Sequence, residues 1–141
     1  MPAELNYITL KKAEQNDGQI DISPQVIEII AGIASVQVKG VNRMHGSFTN
    51  SVNELFGKKE RGKGVKLEFN QNKLNVDVFL FLDYGISVPD VALEIQKQVR
   101  QQLLFMTDLK VGSVNVHVQG MVAPKNEKVD TEKLFDNGDK D

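Results

Sequence analysis

No cysteine occurs among the 141 residues. That absence excludes disulfides, thiol catalysis and cysteine-ligated zinc or iron–sulfur centres together, and it suits a reducing compartment. Histidine is scarce, with only His45 and His117. Neither has a second His or a carboxylate at metal-ligand spacing, so no metal site and no cofactor is expected. No stretch approaches the ~18–20 apolar residues of a membrane span, and MPAELNYITLKKAEQ at the N-terminus lacks a signal-peptide apolar run. Strong charge of one sign is missing too. The 17 basic and 19 acidic side chains leave a net charge of −2, which argues against bulk binding to nucleic acid or an anionic membrane. The expectation is a soluble, cytoplasmic protein without direct membrane insertion, any membrane association coming through a partner.

What is present is ordinary for a folded chain: 40% hydrophobic and 26% charged residues exclude wholesale disorder. The length fits one domain. Residues 1–17 are polar without clear periodicity and read as a flexible tail. Residues 123–141 carry Glu127, Asp130, Glu132, Asp136, Asp139 and Asp141 against Lys125, Lys128, Lys133 and Lys140, with Leu134 and Phe135 as the large apolar groups, and read as an acidic disordered tail. The domain between them spans 18–122.

Gln19-Ile20-Asp21-Ile22 alternates and predicts a strand. Ser23 suits a helix N-cap and Pro24 the first helical turn, so a helix starts there, with Gly40 as its stop. Asn42 to Gly46 reads as a loop, and Phe48, Val52, Leu55 and Phe56 fall at helical spacing, predicting a short helix before Gly57. Val65, Leu67 and Phe69 alternate with polar groups. After a turn at Asn70–Lys73, Val76, Val78, Leu80 and Leu82 share one strand face, with Phe79 and Phe81 on the other. Apolar groups on both faces predict a central strand covered on both sides. Val88, Val91, Ala92, Ile95, Val99, Leu103 and Met106 line a helix, and Val114, Val116 and Val118 the inner face of a last strand, with Ser113, Asn115, His117 and Gln119 outward. The order β-α-(α)-β-β-α-β predicts an α+β fold, a small mixed sheet with helices mainly on one face.

No catalytic constellation emerges, so an enzyme is not expected. Gly57-Lys58-Lys59-Glu60-Arg61-Gly62-Lys63 has P-loop spacing, but Gly64 stands where a hydroxyl should hold magnesium, and the loop precedes a strand rather than following one. Asp77 and Asp83 share a face but lie roughly 20 Å apart along a strand, too far for paired acid–base work. Lys58, Lys59, Arg61 and Lys63 form a basic loop suited to contact with an acidic partner surface. The alternative is a nucleic-acid-binding module using basic loop 57–66 and one sheet face. The acidic chain and the lack of an RNP-type aromatic strand or GXXG loop leave nucleic acid as a partner not expected. The first predicted helix is apolar on most sides. One stripe can pack on the sheet, which leaves Ile29 and Val36 on another flank beside the small Gly32 as a self-association face, implying a homo-oligomer; the Phe48–Phe56 segment folding over that flank is the equal alternative.

Taken in order, Gly18-x-Ile20-x-Ile22-Ser23, Val38-x-Gly40-Val41, Gly64-Val65-x-Leu67, Val76-x-Val78 through Asp83-Tyr84-Gly85, Val88-Pro89-x-Val91, Met106-Thr107-Asp108-Leu109 and Val114-Asn115-Val116-x-Val118-x-Gly120 resemble the bacterial alkaline shock protein family, or Gls-type envelope stress response proteins. The resemblance covers about Gly18 to Val122. One departure is Thr107-Asp108-Leu109, where members often have Thr-Gly-Leu. The resemblance implies a non-enzymatic scaffold or regulator of cell-envelope homeostasis and stress response. It implies protein partners, either a membrane-tethering protein or an acetyl-CoA carboxylase subunit, the latter linking the protein to fatty-acid synthesis. It supplies no catalytic residues.

Overall fold

The computed structural model describes residues 7–11, 18–46, 64–71 and 73–123. The elements run β1 (Ile8–Lys11), β2 (Ile20–Ile22), α1 (Pro24–Val36), β3 (Val41–Met44), β4 (Val65–Asn70), β5 (Lys73–Asp83), α2 (Val88–Thr107) and β6 (Val111–Val122). The class is α+β, with a two-stranded antiparallel ribbon of β1 and β2 beside a four-stranded mixed sheet. β5 is the spine of that sheet. One of its edges pairs antiparallel with β4 and then β3, and the other pairs parallel with β6 over its whole length. A parallel pair requires a crossover, and α2 supplies it.

Local chemistry sets the helix ends. Ser23 Oγ accepts from Gln25 N at 3.1 Å, and Pro24 opens α1 where its missing N–H costs nothing. Ser87 caps α2 in the same way through Asp90 N. Ile27, Ile30, Ala31 and Ala34 of α1 pack with Val91, Ile95, Val99 and Leu103 of α2 against Leu74, Val76, Val78, Leu80 and Leu82 of β5. Leu80, Leu82, Ile95 and Leu103 have no exposed surface. Burying a side chain of this size contributes about 1.5–3 kcal/mol, so this face holds the domain together.

Five expectations change. The chain at Asn42–Met44 is strand, not loop: β3 pairs with Leu80–Leu82, and Asn42 is buried because its Nδ2 donates to Asp83 Oδ1 at 2.9 Å and to Ala123 O at 3.2 Å. α1 ends at Val36 with Gln37 as its cap, and Gly40 instead turns the chain into β3 at φ +104°. Ile8–Lys11, inside the segment read as a loose tail, pairs with β2. On α2 the buried stripe is Val91, Ile95, Val99, Leu103 and Thr107, while Met106 is exposed; Thr107 satisfies its hydroxyl by donating to Leu103 O. Finally, both helices lie on one face of β5 as expected, but no described element covers the other, so Phe79 and Phe81 are half-buried rather than enclosed on both sides. The predicted helix at Phe48–Phe56 and most of both tails lie outside the described residues.

Candidate functional site: the open face of the sheet

Strand alternation turns Asn75, Asp77, Phe79, Phe81 and Asp83 of β5 away from the helices. Register places Lys66 of β4 beside Asp77, Arg43 of β3 beside Phe81, and Asn115 and His117 of β6 beside Asp77 and Phe79. Each phenylalanine is thereby flanked by nitrogen-bearing groups. Arg43 sits over Phe81, its guanidinium carbon 4.4 Å from the ring centroid, and His45 stacks against the same ring at 6.1 Å and 18°. His117 stacks on Phe79 at 4.4 Å and 13°, with Lys66 Nζ 5.7 Å from that centroid. Attraction between a cation and a ring face holds such side chains flat.

Two carboxylates of β5, Asp77 and Asp83, border this pair of rings. Asp77 Oδ1 accepts from Asn115 Nδ2 at 3.0 Å and lies 3.0 Å from His117 Nε2. The His117 hydrogen bond, with smaller help from Asn115 and the charges of His117 and Lys66, holds the Asp77 carboxyl below its usual range against partial desolvation. Asp83 is engaged by Asn42. The His117–Asp77 contact joins residues 40 apart in sequence, and no local spacing could have disclosed it. Among the described residues it lacks a nucleophile: the Ser113 hydroxyl on the same strand donates to Asn75 Oδ1 instead. Among the described residues, no group of three His, Asp or Glu is placed to hold a metal ion.

A cleft of about 420 Å³ opens beside Phe79, lined by His45, Gly64, Val65, Lys66, Phe79 and Gln119. Its rim is where β4 hands the edge of β5 over to β3. Phe79 N donates to Gly64 O at 2.7 Å, and His45 N donates to Phe79 O at 2.8 Å. Gly64 has φ +82°, and a Cβ there would lie 2.9 Å from Phe79 O, so only glycine fits this junction. Lys58, Lys59, Arg61 and Lys63 lie outside the described residues, as does the Gly57–Lys63 segment. Of the residues expected to self-associate, Gly32 is buried, Val36 packs against the core, and Ile29 is half-buried.

The sequence over residues 12–123 matches a family described as having a cell envelope-related function. This chain belongs to the alkaline shock protein family. Similar proteins include YqhY of Bacillus subtilis, 41% identical over 116 residues, covering 80% of this chain and 86% of that protein. Spy1535 of Streptococcus pyogenes is 40% identical over 120 residues, covering 84% and 91% of the two chains. A more distant streptococcal relative is named a stress response regulator gls24 homolog; it is 32% identical over 102 residues, covering 72% of this chain but 57% of the regulator. No solved structure matches. No helix among the described residues is long and apolar enough to cross a membrane.

Proposed function

We propose that this alkaline shock family protein is a non-catalytic regulator in the cell-envelope stress response that works by binding, with the open face of its sheet as the working surface. Family membership supplies the envelope connection. One observation carries the rest: Phe79 and Phe81 stand side by side on the central strand, on a face no described element covers, each with a cationic or imidazole side chain laid over its ring. Aromatic and arginine side chains are the types that anchor binding interfaces. A sheet face with Asp77 and Asp83 already engaged and, among the described residues, no nucleophile beside His117 is suited to recognition, not to bond making.

Contact with a membrane-tethering protein or an acetyl-CoA carboxylase subunit belongs to the same proposal and is supported by the family resemblance; self-association would use the half-buried Ile29 flank of α1, since Gly32 is buried and Val36 packs on the core. The test is genetic. A host whose only copy carries Phe79→Leu and Phe81→Leu is challenged with a cell-wall-directed antibiotic and with alkaline medium. Tolerance should fall to that of the deletion strain while protein abundance stays normal. Full tolerance at normal abundance would remove the open face from the function.

A further inference from the structure

We infer that the outer edge of β6, a surface distinct from the Ile29 flank of α1, pairs with β6 of a second copy of this chain, antiparallel about a two-fold axis at His117. β6 is 12 residues long and has one strand neighbour among the described residues, β5. Its other edge presents a row of backbone donors and acceptors that another strand can bind, and folded proteins usually blunt such an edge with charge or proline. β3 carries Arg43, and β4 carries Lys66 and Glu68. Val111 to Val122 contains no charged residue and no proline. Its start is capped by α2 instead. Arg100 donates to Val111 O at 2.8 Å and to Gly112 O at 3.3 Å, and Gln96 Nε2 donates to Val114 O at 2.9 Å. Among the described residues, no side chain caps the edge beyond Val114.

Backbone groups of successive strand residues turn alternately to the two sides of the strand. Val114 O meets Gln96 rather than β5, so Val116 and Val118 turn the same way, outward. Their side chains are only partly buried against the core, and a strand laid beside them extends the apolar layer under α2. The occupant has to be as free of charge as β6, because like charges directly opposite destabilise a strand pair. A second β6 meets that condition: its side chains on the open face are Asn115, His117 and Gln119. An axis at His117 sets Val116 opposite the second copy's Val118, which uses the free donor and acceptor of both residues, and sets Asn115 opposite the second copy's Gln119. Centring on Val116 would instead oppose Val118 to the second copy's Val114, whose carbonyl Gln96 already holds. The two-fold closes on itself, giving a dimer rather than a fibre. The two sheets become one, and both open faces lie on the same side of it.

Sedimentation of the full chain over a range of concentrations tests this, with thermal melts to show that each variant is folded. The parent should run as a dimer. Asn115→Lys with Gln119→Lys sets lysine against lysine on both sides of the axis and should weaken dimerisation about tenfold or more. Asn115→Lys with Gln119→Glu sets lysine against glutamate at the same places and should restore it. Amide exchange followed by NMR should show Val116 and Val118 protected in the parent dimer and unprotected in the double-lysine variant. A parent that is monomeric at every concentration would overturn the inference. So would a dimer indifferent to the double lysine, one that the lysine–glutamate pair fails to restore, or one whose Val116 and Val118 amides exchange freely. The inference stands on the strand edge and not on what the open face binds, so a monomeric parent leaves the functional proposal to its own genetic test.

Discussion

His117 Nε2 lies 3.0 Å from Asp77 Oδ1, across the parallel pair formed by β5 and β6. The contact depresses the Asp77 carboxyl, with Lys66 and Asn115 facing the same group. A carboxylate depressed in the folded state stabilises the protein above its unfolded value of about 4, and that contribution disappears as pH falls through the folded value. Asp77→Asn should therefore be slightly less stable than the parent near neutrality, by under about 1 kcal/mol for so solvent-screened a pair. The two should converge in acid. Thermal melts from pH 7 down to about 2.5 check this, and a gap that persists at the acid end would assign the loss to packing instead.

Neighbours on β5 should respond very differently to truncation. Leu80 has no exposed surface and points at the helices, so Leu80→Ala should cost about 2–5 kcal/mol. Phe81, one residue on, meets Arg43 and His45 on the open face, and Phe81→Ala should cost roughly 1 kcal/mol. Urea denaturation with an unchanged slope measures both. Equal losses would mean that something covers the open face.

Asp108 ends α2 in the left-handed region at φ 64°, its N–H donating to Leu104 O. Aspartate tolerates that conformation better than most residues, but glycine is favoured there. Asp108→Gly should raise stability by up to about 1 kcal/mol, seen as a higher melting temperature. A lower one would show that the aspartate side chain contributes more than its strain costs.

Gly40 faces the opposite constraint, since its φ is +104° and a Cβ would lie 2.9 Å from Val91 Cγ2. Gly40→Ala should destabilise by about 1–3 kcal/mol from strain and overlap together. In a double-mutant cycle with Val91→Ala the two losses should fall short of adding, because truncating Val91 clears the overlap and leaves only the dihedral strain. Strict additivity would assign the whole effect to the backbone.

Much of this protein is legible locally. The period-two pattern from Leu74 to Asp83 and from Val114 to Val118, the spacing of Val91, Ile95, Val99 and Leu103, and Ser23-Pro24 and Ser87 at helix starts all follow from how side chains project along a strand or helix. The α+β class and the faces of β4, β5 and the Val114–Val118 part of β6 were therefore available from sequence. Where the signal was polar or short it failed. Asn42 and Arg43 interrupt β3, and only Asp83 and the Ala123 carbonyl, 41 and 81 residues away, explain why a buried asparagine belongs in a strand.

The candidate site depended on a decision no local pattern contains. Alternation says that Phe79 and Phe81 share a face; it is silent on whether a helix lies over them. α2 crosses from β5 to β6 on the same side as α1, because those two helices bury their apolar stripes against each other and the even-numbered residues of β5 in one core. That choice leaves the odd-numbered face without cover among the described residues. Pairing with β3, β4 and β6 then brings Arg43, Lys66 and His117, which lie far apart in sequence, around two phenylalanines. The sequence alone determined the two helices, the strands β2, β4, β5 and β6 and the sidedness of the last three; tertiary packing added β1 and β3 and decided which side of β5 the helices cover, since burial is a property of neighbours that only the folded chain brings together.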